Sequence, residues 1–227
     1  MTYHLKIWQK ELNLRESCIY IFFLIILFLL VEFHLFLKLK SFFLFNEANL
    51  YIQKIKQLDK NLITQRVILY QNTLRLLEIS QKIDPLKPNY HFDYAKVLLE
   101  VFEDKAIFGI IGISKISSED QILELIETQY KKAIFLNPSN AIYHLGLGYF
   151  YGLRDDLIAT EQEFKKASLL DPNSIDNHLY ITKYFLNKVD PERALFYLNK
   201  TENICKAISY SFDTCKELET IKEKIVQ

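Results

Sequence analysis

The feature that most limits what this chain can become is its similarity to itself at a fixed spacing. His144 recurs as His178, Tyr130 as Phe164, Ala133 as Ala167 and Pro138 as Pro172, each pair 34 residues apart. A period of that length, carrying two amphipathic helices per unit, signals a solenoid of stacked helical hairpins. Each hairpin is too small to hide its own apolar side and depends on its neighbour to cover it. Such an array is usually a surface for holding something.

Composition agrees with a mostly helical chain. Only 5 Gly and 5 Pro occur in 227 residues, against abundant Leu, Ile, Lys, Glu and Gln. The charges balance at 28 basic and 28 acidic residues. No surplus of positive charge speaks for nucleic acid as a partner, so that class is disfavoured.

Taken in order, residues 1–17 form a short polar leader, and 18–40 hold the apolar run CIYIFFLIILFLLVEFHLFL from Cys18 to Leu37. Twenty helical residues reach about 30 Å, the thickness of the hydrocarbon core. The expectation is a transmembrane helix acting as an uncleaved signal anchor, with a cleaved signal peptide or a buried core helix as alternatives. A signal peptide would end in small residues, whereas this run ends in Lys38, Lys40 and the bulky Phe42 to Phe45. Glu32 and His34 interrupt its last third. Both are within two turns of its end, where they can snorkel to the headgroups; a polar contact with another membrane protein is the other reading. Basic residues on both flanks only weakly favour a cytoplasmic N-terminus, which would place the C-terminal body outside the cytoplasm of a bacterial inner membrane.

From Asn46 to Ile83 neither Pro nor Gly occurs, and Tyr51, Ile55, Leu58 and Leu62 recur with helical spacing. A second set runs through Tyr70, Leu74 and Leu77, so two helices with a break near Asn61 are expected; a short dimerising coiled coil is the rival. His91 follows Pro85 by six residues, as His144 follows Pro138 and His178 follows Pro172. The interval to the next unit is 53 rather than 34, which one insertion at about 104–118 explains. It carries Gly109 and Gly112 as breakers, and Ser118 stands three residues before Gln121 as a capping box. Its isoleucines and Phe108 either fold back on the hairpin or meet a partner or the bilayer.

These landmarks resemble the tetratricopeptide repeat (TPR) family. In residues 141–174 the family's large first-helix residue falls on His144, its leucine–glycine pair on Leu147 and Gly148, and its next aromatic on Tyr151. The second-helix positions fall on Thr160, Phe164 and Ala167, and the terminal proline on Pro172. The following unit matches through His178, Ile181, Phe185, Ala194 and Leu198, with Thr182 in place of the glycine. Leu77 and Ser80 mark a degenerate copy upstream. The resemblance covers 46–206 and implies an all-α fold, an α-solenoid of TPR-like hairpins preceded by one N-terminal transmembrane helix, with 207–227 as a capping helix begun by Thr214 and Glu217.

Three histidines repeat at equivalent places, one unit apart and too far from each other to share a metal, so they are packing residues. No Gly-rich phosphate loop, metal-ligand spacing or nucleophile motif is present. The expectation is therefore no enzyme, no cofactor and no metal. Cys18 lies in the apolar run; Cys205 and Cys215 either close a disulfide, if the body is outside the cytoplasm, or remain thiols. What the family implies is a ligand groove lined by the first helix of each hairpin, here by Phe92, Lys96, Leu145, Tyr149, Leu179, Lys183 and Asn187. The family's carboxylate-clamping Lys and Asn set is not reproduced, which argues for an apolar helix or extended segment as ligand. The functional expectation is a membrane-anchored scaffold or adaptor for a protein partner in an envelope-associated complex, for secretion or polysaccharide assembly. The alternative is an accessory subunit of a membrane-embedded enzyme, contacted through the transmembrane helix.

Overall fold

The structure, a computed structural model, describes the backbone of residues 2–111, 118–208 and 213–226 and the side chains of 19–111, 118–207 and 218–225. Among the described residues there are ten helices and no strand. The first, α1 (Thr2–Gln57), runs unbroken from the leader through the apolar run and on into the solenoid. Its part from Ile19 to Phe36 is bare of other protein, and it is the one helix among the described residues long and apolar enough to cross a membrane.

From Ser41 onward α1 becomes one arm of a hairpin. Its partner is α2 (Ile63–Ile83), after a break in which Asp59 accepts hydrogen bonds from the amides of Asn61 and Leu62. The buried face of α1 keeps Ile55 of the expected set, with Tyr51 and Leu58 half-buried, but differs in its other members. Ser41, Ala48 and Ile55 are buried, whereas Leu62 lies exposed in the break. Small residues let the two helices approach closely, and apolar periodicity does not register them.

Three more hairpins follow: α3 (Pro88–Glu103) with α5 (Glu119–Leu136), α6 (Ala141–Leu153) with α7 (Leu157–Leu170), and α8 (Ile175–Asn187) with α9 (Pro191–Ile208). Side-chain caps start most of these helices. Ser118, Asn140, Asp156, Ser174 and Asp190 accept from backbone amides two or three residues on, at 3.0 to 3.3 Å. The short turns inside the last two hairpins place Asp155 and Val189, one repeat apart, at φ 56° and 57°. That left-handed backbone suits Asp better than a β-branched residue.

The described part of the insertion, residues 104–111, folds back. Its helix α4 (Lys105–Phe108) is capped by Asp104, which also pairs with Arg66 of α2 at 2.9 Å, and Ile107 and Ile111 are buried in the same core as α2 and α3. Gly112 and Ile113 lie outside the described residues. At the far end α10 (Asp213–Val226) lays Leu218 and Ile221 on Leu179 and Leu198, closing the last apolar face. The side chains of Thr214 and Glu217 lie outside the described residues.

Candidate functional site

The first helices of the hairpins, α3, α6 and α8, stand side by side and line a groove enclosing a cavity of about 430 Å³. That is within the range of pockets that hold ligands, about 300 to 1,000 Å³. Phe92, Tyr130, Ile142, Tyr149 and Tyr180 form its apolar surface, and Gly146 lets the wall come close: a Cβ there would meet Phe92 and Tyr130 at 2.8 Å. A second cavity of about 300 Å³ lies between α1 and α3 and shares Lys96 and Glu100 with the first. The two form one trough.

Its charge is set by Asp93, Glu100, Glu103 and Asp176, against Lys56 and Lys96. Burial lifts the carboxyl of Asp93 to about 6, with Lys96 pulling the other way, and burial likewise raises Glu100 against the pull of Lys96 and Lys56. Tyr149 donates to the Glu103 carboxylate at 2.7 Å, and burial together with that carboxylate pushes its hydroxyl up, as burial and Glu103 do for Tyr180. The trough is thus an aromatic channel with a net negative lip. Hydrogen-bond donors and apolar faces are available there.

Of the residues expected in the groove, Phe92, Lys96, Leu145 and Tyr149 line it. Leu179, Lys183 and Asn187 do not. Leu179 is buried under Leu198, Leu218 and Ile221, and Lys183 and Asn187 are exposed away from the cavity. The last unit instead contributes Asp176, Asn177 and Tyr180. Ile142 and Gly146 of α6 and their equivalents Asp176 and Tyr180 of α8 all line the cavity, whereas Leu179, the equivalent of Leu145, is covered by α10; the pairing of Gly146 with Tyr180, one repeat on, was the signal that could have given the right phase. Glu100 and Glu103 were also missed, because nothing in a lone carboxylate's spacing marks it as groove-facing.

The three repeated histidines pin the hairpins. Each ring Nε2 meets the carbonyl oxygen of the proline six residues before it: His91 at 2.8 Å, His144 at 3.1 Å and His178 at 3.0 Å. The other face meets a second-helix position that also repeats every 34 residues. There His91 Nδ1 pairs with Gln129 at 2.8 Å, His144 Nδ1 with Glu163 at 2.6 Å, and His178 stacks on Tyr197. Among the described residues no group of three potential ligands could hold a metal. Glu32 and His34 are exposed on the bare part of α1. Cys205 is disulfide-bonded, while the side chain of Cys215 lies outside the described residues.

No family profile matches the chain, and no curated protein resembles it closely enough to count as a relative. Solved structures do superpose on it. A MamA double mutant from RS-1 aligns with a TM-score of 0.47 at 16% identity, over 76% of this chain and 98% of that one. TTC0263, described as a thermophilic TPR protein of Thermus thermophilus, gives 0.39 at 17% identity, over 78% and 97%. YrrB, described as a TPR protein with an unusual peptide-binding site, gives 0.33 at 14% identity, over 78% and 90%. The likeness is one of general architecture and says nothing of what this chain binds.

Proposed function

We propose that this tetratricopeptide-like α-solenoid is a non-enzymatic scaffold, anchored to a bilayer by α1, that holds a segment of a partner protein in the trough along α3, α6 and α8. The observation that carries the reading is the trough itself: an open aromatic channel of about 430 Å³ rimmed by Glu100, Glu103 and Asp176. It is complementary to a segment presenting an apolar side chain beside Lys or Arg. None of the described residues of the insertion lines it, so the chain does not fill its own groove with α4. The bare apolar stretch of α1 supports the anchor. A disulfide at Cys205, which we pair with Cys215, supports a body outside the cytoplasm, where such bonds persist. That fits an envelope-associated complex, in secretion or polysaccharide assembly, at a bacterial inner membrane.

A second reading has its own observation. Glu32 and His34 stand on an otherwise apolar helix surface, and polar groups at that depth often meet a membrane partner. In that case the chain is an accessory subunit of a membrane-embedded enzyme.

Crosslinking and affinity purification from membranes separates the two. Tyr149→Ala combined with Tyr180→Ala is expected to reduce recovery of the bound partner about tenfold or more, since buried aromatic anchors carry most interface energy. Glu32→Ala with His34→Ala should leave it intact. The reverse pattern would favour the accessory-subunit reading, and retention under both pairs of substitutions would remove the groove as the binding site.

A further inference from the structure

The helix α1 crosses from its bare apolar stretch into the solenoid without a break, and the solenoid begins almost at once. Ser41 is fully buried: the Ser80 hydroxyl donates to its carbonyl oxygen at 3.2 Å, and its own hydroxyl lies 3.4 Å from that of Tyr90. Phe45 packs on the Tyr90 ring at 4.6 Å. Ser41 is one helical turn past Leu37, about 6 Å along the axis. The headgroup layer beyond a hydrocarbon core is about that thick. No linker intervenes that would let the body swing away.

The hairpins carry this level across the molecule. Because each is antiparallel, the starts of α3, α6 and α8 and the ends of α2, α5 and α7 share one edge. Contacts between first turns hold the register: Phe92 packs on Tyr143 at 4.9 Å, and Tyr143 donates to Asn89. That edge is unlike an ordinary solvated rim. Leu86 is 71% exposed, Phe135 78% and Leu169 69%, the last two one repeat apart. Exposed lysines stand among them, Lys87, Lys132 and Lys165, with Lys132 over the Phe135 ring at 5.7 Å. Two exposed acids, Asp171 and Asp176, share the edge. The opposite edge also exposes apolar side chains but carries Asp155, Asp156 and Glu192 beside its bases.

We infer that the edge bearing Leu86, Phe135 and Leu169 rests on the headgroup layer of the bilayer that α1 crosses, apolar tips dipping in and lysines facing anionic lipid phosphates. This rests on the reading of α1 as a membrane anchor. Apolar groups interleaved with lysine are what binds such a surface. The bilayer, rather than a soluble partner, is the occupant, because α1 delivers the edge to it at a fixed height. The consequence is geometric: the first helices stand upright, and the trough they line opens sideways along the membrane surface. A partner segment would then lie parallel to the bilayer.

The test uses the full chain in vesicles of phosphatidylethanolamine and phosphatidylglycerol, with the photoreactive residue p-benzoylphenylalanine placed singly at Phe135, Leu169 or Ile158. Ile158 is 75% exposed but belongs to the opposite edge, at the start of α7. The expected result is lipid adducts, read by mass, several-fold more abundant from 135 and 169 than from 158. Equal or negligible yields from all three, in chains that resist alkaline extraction from the vesicles, would overturn this inference and leave the anchor standing. Chains that extract freely would overturn both.

Discussion

Glu163 is a buried carboxylate in the middle of a helix, a costly place for a charge, and its neighbours explain why it persists. Burial pushes its pKa up, but hydrogen bonds and charge from His144 and Lys166 outweigh that and hold it below the usual 4.5. A depressed acid stabilises the fold above its unfolded pKa, and that contribution is lost as pH falls through the lower folded value. His178 works in the same direction at higher pH: burial depresses it from 6.5, so its share is complete above about 6.5 and declines as pH falls toward its folded value. Gln129 makes the equivalent bond to His91 without a charge. Glu163→Gln should therefore change neutral-pH stability by less than about 1 kcal/mol and remove part of the acid sensitivity below pH 4.5, whereas Glu163→Ala should cost about 2–3 kcal/mol. Thermal unfolding of the detergent-solubilised chain across pH measures both. The sequence made the histidines legible as packing residues, because they repeat. It hid their partners, since Gln, Glu and Tyr share no chemical label that a pattern search would align.

Within a hairpin, complementary volumes decide how closely the helices approach. Gly148 faces Phe164, the positions they hold are taken by the buried Ala95 and Tyr130 in the unit before, and Thr182 takes the glycine's place where Leu198 replaces the aromatic. The smaller residue on one helix goes with the larger on the other. A Cβ at Gly148 would stand 2.6 Å from the fully buried Phe164 ring. Gly148→Ala should cost about 1–3 kcal/mol through overpacking, and Gly148→Ala with Phe164→Leu should recover a good part of it. Urea unfolding of the single and double variants would show the coupling, and additive losses would count against it. Helix positions and caps could be read in advance from Pro138, Pro172, Ser118 and Asp190, because those residues act locally. The buried face of α1 could not: Ser41 and Ala48 are buried because α2 and Tyr90 come against them, which no local pattern records.

At the scale of the molecule, the join between α1 and the repeats matters most. The array was expected to start at residue 46, yet its packing begins with Ser41 and Phe45. A chain beginning at Lys38 should keep the stability of the array, while one beginning at Asn46 should leave Tyr90 and Ser80 without those partners and melt about 4–8 °C lower. Calorimetry of the two truncated chains distinguishes them, and equal melting points would place the start of the array where the sequence first put it. What the sequence determined by itself is the repeat period, the helical hairpins, the apolar stretch and the pinning histidines, since each follows from local spacing and residue chemistry. Only the tertiary structure decided which faces stay open. Leu145 lines the groove while Leu179, its equivalent one repeat on, is covered because α10 lays Leu218 and Ile221 on it, and such a cover depends on contacts between distant elements that no local spacing records.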